Sequence, residues 1–132
     1  MMKPRILLVE DDAALASAYQ TRIQAEGFEV KHCANGEDAL AQALEFKPDL
    51  ILLDIMMPKI SGFDVLDILR NTPETAKTKI IILTALSQPS DQARAKSLGV
   101  DEYLVKSQAV ASDVITRIKF HLGMETTPPP SQ

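Results

Sequence analysis

The chain has 132 residues, of which 45% are hydrophobic and 24% charged, with a net charge of -4 and a pI near 5.1. That suits one domain with an ordinary core, and the acidic balance excludes the basic footprint of a nucleic-acid binder and the polybasic patch of a membrane-surface protein. A single cysteine, Cys33, excludes an internal disulfide and fits a reducing cytoplasm.

The N-terminal segment has an apolar run of only four residues before three acids (ILLVEDD), too short for a signal peptide or a membrane span. Residues 5–9 (RILLV) instead predict a buried strand. Residues 13–26 carry Leu15, Ala18, Tyr19, Arg22 and Ile23 at helical spacing, and the apolar members are expected to face a sheet. Gly27 is the expected stop. Residues 28–33 alternate enough for an edge strand. Asn35-Gly36 signals a turn, and residues 37–46 a helix that ends at Lys47-Pro48. Residues 49–53 (DLILL) form the longest apolar run and predict a central strand. Pro58 and Gly62 shape the loop that follows. Val65, Leu66 and Leu69 mark the buried stripe of a third helix. Residues 80–83 predict a fourth strand, 90–98 a more polar helix closed by Gly99, 102–105 a fifth strand, and 109–122 a last helix with Val114, Ile118 and Leu122 inward. Five repeats of strand then helix mean a parallel sheet with helices on both faces, because each crossover is right-handed and must cover the sheet. Residues 123–132, with three consecutive prolines and no periodicity, are expected to be a disordered tail.

Ligands of such sheets bind outside the carboxyl ends of the strands. The first strand ends in Glu10-Asp11-Asp12, the third in Asp54, the fourth in Thr84 and the fifth in Lys106. Four of five strands therefore deliver a charged or reactive group to one edge. Crowded carboxylates repel unless a cation sits among them, and oxygen-only ligands with open water positions suit Mg²⁺. A carboxylate beside Mg²⁺ is able to attack phosphorus and form an aspartyl phosphate. Lys106 and the Thr84 hydroxyl supply positive charge and a donor for the remaining phosphoryl oxygens. Taken singly the residues read more plainly: Thr84 as a strand-edge hydroxyl, Lys106 as a surface charge, Tyr103 as a partly buried aromatic. Asp12 is expected to cap the first helix. His32 and His121 lack metal-spaced partners and are read as surface residues, and Cys33 as a small buried strand residue.

The segments LLVEDD, LLDIMMPKISG, IIILTA and DEYLVKS, in this order and spacing, resemble the signature segments of response-regulator receiver domains. The match runs from about residue 5 to 122. The resemblance implies a receiver domain over residues 1–122 with the flavodoxin-like (βα)5 fold, a doubly wound five-stranded parallel sheet in the order 2-1-3-4-5. It implies that Asp54 is the phosphoacceptor. Glu10 and Asp11, with Asp54 and the backbone carbonyl of Met56, would hold Mg²⁺. Thr84 and Lys106 would contact the phosphoryl group, and Tyr103 would be the aromatic switch partner of Thr84. The donor would be a cytoplasmic histidine kinase or phosphotransfer protein, and the output a downstream protein target, with neither nucleic acid nor membrane bound directly. The face made by the fourth helix, fifth strand and fifth helix is expected to shift on phosphorylation and to form a homodimer, with Asp101, Glu102 and Arg117 pairing across it.

Receivers commonly have proline after the site lysine; here it is Ser107. A non-proline cis bond costs roughly 2.5–4 kcal/mol, a large share of the ~5–15 kcal/mol that stabilises a domain. The Lys106–Ser107 bond is therefore expected to be trans, with Ser107 capping the last helix. Two other readings compete. A haloacid-dehalogenase-like phosphatase also uses an aspartyl nucleophile but needs a second Asp two residues later, where this chain has Met56. A degenerate receiver used as a scaffold would not be expected to keep Glu10, Asp11, Asp54, Thr84 and Lys106 together. No Gly-rich ATP loop is present, so the chain is not itself a kinase.

Overall fold

A computed structural model describes residues 3–124. Its elements are β1 (Arg5–Val9), α1 (Ala13–Ala25), β2 (Glu29–Cys33), α2 (Gly36–Glu45), β3 (Leu50–Leu53), α3 (Gly62–Arg70), β4 (Lys79–Thr84), α4 (Pro89–Ser97), β5 (Glu102–Val105) and α5 (Ala111–His121). All four strand pairings are parallel and the order is β2-β1-β3-β4-β5, the doubly wound arrangement.

Burial follows strand position. β3 is buried at every residue and β4 at all but its first, because helices cover both faces of the sheet. β2, at the edge, keeps Glu29 and Lys31 in solvent. One apolar cluster joins alternate residues of β1, β3 and β4 to Ala39, Phe63, Leu66 and Ala95 on α2, α3 and α4. The other joins the intervening residues to Tyr19, Ile23, Val114 and Ile118 on α1 and α5. Each fully buried Leu or Ile contributes about 1.5–3 kcal/mol through area removed from water, so these clusters outweigh any single polar contact in holding the fold. α1 turns Ala16 inward and leaves Ala18 exposed, correcting the expected stripe by two residues: Ala16, Tyr19 and Ile23 lie three and four apart and make one face. Leu122 is only partly buried at the edge of its cluster.

Local chemistry sets the helix ends. Asp12 accepts from the Leu15 N–H at 3.0 Å and Asn35 from the Asp38 N–H at 2.9 Å, each satisfying an orphan donor of a first turn. α4 starts at Pro89, which needs no N–H in a first turn. Gly27 at φ 95 ends α1 in a conformation that costs glycine little. α5 closes with Gly123 at φ 73 and with the Met124 N–H donating to the Lys119 carbonyl at 2.8 Å, so the first two residues of the expected tail form a helix cap. Residues 125–132 of that tail lie outside the described residues. Among the described residues no helix is long and apolar enough to cross a membrane.

After β5 the Lys106–Ser107 peptide is trans. Ser107 does not cap the last helix. α5 begins four residues later, and there the Asp113 carboxylate accepts from the Val110 N–H at 3.0 Å.

Candidate functional site

The sheet ladder continues one residue past the strand ends and thereby fixes the polar groups in register. Glu10 N–H donates to the Cys33 carbonyl at 2.9 Å, Asp54 N–H to Val9 at 3.0 Å, and Lys106 N–H to Thr84 at 2.8 Å. Gly62 lets α3 start against the end of β3, since a Cβ there would stand 2.6 Å from the Asp54 carbonyl oxygen.

The side chains converge. The Lys106 ammonium donates to Glu10 Oε1 at 2.6 Å and to Asp54 Oδ2 at 2.8 Å. Glu10 and Asp54 are almost fully buried, 3% and 4% exposed, whereas Asp11 is exposed. Asp54 Oδ1 accepts from the Met56 N–H at 3.0 Å, and Glu10 Oε2 from the Asp12 N–H at 3.1 Å. Oxygens of Glu10, Asp11 and Asp54 all lie within 4.8 Å of one another. Burial pushes the Glu10 carboxyl above its ordinary range, and the hydrogen bonds from Lys106 and Asp12 oppose that shift without cancelling it. Burial also pulls the Lys106 ammonium down, but its bonds to Asp54 and Glu10 win and its pKa is raised.

Three carboxylates against one ammonium leave a formal charge of two negative at this edge. That is the charge, and all-oxygen is the donor set, that a divalent hard cation such as Mg²⁺ would match. The residues present therefore fit such an ion.

Thr84 is fully buried at the end of β4, and its hydroxyl accepts from the Leu86 N–H at 3.4 Å, a long contact. The Tyr103 hydroxyl donates to the Leu86 carbonyl at 2.8 Å. Thr84 and Tyr103 are thus tied through the backbone of one residue. Burial pushes the Tyr103 phenol up to about 12, and burial also raises Tyr19. A phenol whose folded pKa is raised contributes stability below its ordinary value near 10, and that stability is lost as pH rises from 10 toward 12. Spectrophotometric titration is expected to show both tyrosines of the folded protein ionising above pH 10, with the normal range recovered in denaturant; normal titration in the folded state would contradict the burial of the two phenols.

Both histidines differ from their expected place on the surface. His32 Nε2 lies 2.7 Å from the Glu10 carbonyl, and His121 Nε2 lies 2.6 Å from Glu102 Oε1; both rings are partly buried. His32 carried no signal in the sequence, because its position beside Glu10 exists only once β2 pairs with β1. Cys33 is buried as expected, and burial pushes its thiol up to about 11. Glu102 is shared by Arg117 and His121, and Asp101 pairs with Arg70 at 3.0 Å while accepting from the Ile80 N–H at 2.8 Å. The three charges expected to pair across a dimer are therefore engaged within one chain.

The sequence model of the response regulator receiver domain matches residues 6–119. The chain belongs to that family. The receiver is 38% identical over 118 residues to the phosphate regulon transcriptional regulatory protein PhoB of Rhizobium meliloti, a match that covers 89% of this chain and 52% of that one. It is 35% identical over 116 residues to the DNA-binding dual master transcriptional regulator RpaA of Synechocystis, covering 88% and 48%. The receiver thus spans about half the length of these curated relatives. Among solved structures it is similar to a CheY-like response regulator receiver domain protein of Methanospirillum hungatei, with a TM-score of 0.86, 26% identity, and coverage of 92% of this chain and 95% of that one. It is also similar to the BeF3-activated N-terminal receiver domain of Klebsiella pneumoniae RstA, with a TM-score of 0.82, 27% identity, and coverage of 89% and 97%. Receiver domains are signalling phosphoacceptors of two-component systems, so family membership favours that reading over the phosphatase alternative.

Proposed function

We propose that this receiver takes a phosphoryl group on Asp54 from a cytoplasmic histidine kinase or phosphotransfer protein, with Mg²⁺ bound, and thereby switches a protein-interaction face. The supporting observation is the buried Asp54 carboxylate, held at the sheet edge by Lys106 and the Met56 N–H and crowded by Glu10 and Asp11. In the transfer, an Asp54 oxygen forms the new O–P bond as the donor's N–P bond breaks, and the leaving nitrogen keeps the electron pair. Glu10, Asp11, Asp54 and the Met56 carbonyl would hold Mg²⁺, which when bound neutralises charge on the anionic donor and the carboxylates.

The chain's own groups do the rest. Lys106 sits against Asp54 and is placed to follow the developing charge onto a phosphoryl oxygen. The Thr84 hydroxyl, held only by a 3.4 Å contact, is free to turn and donate to another. That turn gives up the contact to Leu86, whose carbonyl anchors Tyr103, and so biases β5 and the adjoining α4 and α5. The downstream target, a protein, would read this face. A homodimer through it would require Glu102 and Arg117 to exchange partners they already hold within the chain.

Incubation with acetyl phosphate is expected to add one phosphoryl group per chain, by intact mass, only when Mg²⁺ is present. No gain, or a gain indifferent to Mg²⁺, overturns the reading. The RstA relative is a BeF3-activated form, so beryllofluoride offers a non-covalent probe of the same state.

The phosphoryl group is expected to be lost slowly. Met56 is half-exposed beside Asp54 and has no hydrogen bond with which to orient an attacking water. Leu86 is equally apolar but packs against the core, so Met56 carries the cleaner test. Met56→Asn is expected to speed the loss about ten-fold, less than the 10²–10⁴ of a true general base. An unchanged decay of the labelled protein counts against it.

A further inference from the structure

We infer that His32 is a positioning residue for the acidic pair of this site, acting on the backbone between Glu10 and Asp11. The inference rests on the proposed role of that pair.

β1 leaves its partner strand here. The β1–β2 register ends at Val9 with Cys33, and the Glu10 N–H takes the Cys33 carbonyl as the last ladder bond. β2 then turns toward α2, where Asn35 is committed to capping. The Glu10 carbonyl thus sits one step beyond the end of the ladder. His32, which lies opposite Leu8 in register, fills that gap with its ring, Nε2 to oxygen 2.7 Å. A carbonyl only accepts, so Nε2 carries the proton and donates.

This bond matters because of the peptide it holds. The Glu10 carbonyl belongs to the peptide unit that joins Glu10 to Asp11. That unit is planar and carries both Cα atoms, so holding its oxygen restrains the backbone from which both side chains project. One carboxylate is the buried partner of Lys106, and the other is the exposed third member of the cluster. Three bonds hold the turn: Cys33 below Glu10, His32 on its carbonyl, and the Glu10 carboxylate on the Asp12 N–H. Two are made by the acidic turn or the ladder themselves. Lys106 reaches the Glu10 carboxylate from the end of β5, but among the described residues His32 is the side chain from another strand that holds the backbone of the turn. Groups that orient ligating residues in this way typically change metal affinity 10–100-fold when lost.

The test compares His32→Gln with His32→Met. The two side chains are close in shape, but only glutamine keeps a donor near the Nε2 position. Mg²⁺ binding is measured by calorimetry or by amide shifts, with no phosphodonor present, and thermal melts without Mg²⁺ report folding. His32→Met is expected to weaken Mg²⁺ binding about ten-fold, while His32→Gln stays within about two-fold of the starting protein because its donor is retained. If His32→Met does not fold, His32→Ala supplies the donorless comparison. Equal Mg²⁺ affinity in the glutamine and donorless variants overturns the inference, whether both match the starting protein or both fall. If the starting protein itself binds no Mg²⁺, the proposed function fails and the inference with it. If it binds Mg²⁺ and accepts phosphate while the variants do not differ, only the inference fails.

Discussion

Asp54→Asn is expected to abolish labelling by acetyl phosphate, with no phosphoryl gain in intact mass at a donor and Mg²⁺ concentration that labels the starting protein fully. The amide keeps the shape of the carboxylate and its oxygen still accepts from the Met56 N–H, so the local backbone is preserved. What is lost is the proposed nucleophile. Stability is expected to change by only about 1 kcal/mol, because the substitution removes an attraction to Lys106 and a repulsion from Glu10 together. Loss of label therefore cannot be put down to unfolding. A phosphoryl group found on another residue of the variant would sink the assignment of Asp54.

Lys106→Met is expected to carry the largest stability cost at the site. It removes two charge-assisted bonds, at 2.6 and 2.8 Å, and leaves two nearly buried carboxylates facing each other. Breaking a fully buried pair costs about 3–5 kcal/mol; the Lys106 side chain is 21% exposed, so solvent screening brings the expectation at pH 7 down to about 2 kcal/mol. The sign with pH follows from Glu10. Its folded pKa is already above the ordinary value of 4.5, and Lys106 is the larger of the two restraints on it, ahead of the Asp12 N–H. Without the ammonium it rises further. A carboxyl of this kind favours the folded state in acid, and that advantage is lost as pH climbs through the interval between its unfolded and folded pKa. The variant is thus expected to approach the starting protein in stability near about pH 5 and to fall behind it at neutral pH. The raised pKa of Lys106 itself adds stability that is present below 10.5 and lost only above it, so it does not shape this window. Urea denaturation at the two pH values measures the difference. An equal deficit at both would mean that lost packing, and not unpaired charge, is the cause.

Much of this was legible in the residues. Period and punctuation gave ten elements in the right order, since a strand buried on both faces has to be apolar throughout and a covering helix has to repeat its apolar residues every three or four. The polar residues at four strand ends followed from the same reading, because a parallel sheet puts all its carboxyl ends on one edge. The shape of each chemical group was also fixed there: a carboxylate, an ammonium, a hydroxyl, an absent acid at Met56.

What the tertiary structure alone decided were relations between elements. The sequence placed Lys106 at the edge that holds Asp54; packing gave it Glu10 as a second partner, 96 residues away. The family resemblance paired Thr84 with Tyr103, and folding joined them through the Leu86 backbone. The sequence offered Asp101, Glu102 and Arg117 as free charges, and the folded chain gave Asp101 to Arg70 and Glu102 to Arg117 and His121. His32 became part of the site only because parallel pairing ends one residue short of the Glu10 carbonyl. Elements form from neighbours in sequence, whose spacing can be counted. Hydrogen-bond partners across the sheet depend on register and on which group is left unsatisfied after the ladder closes, and neither is written in the local pattern.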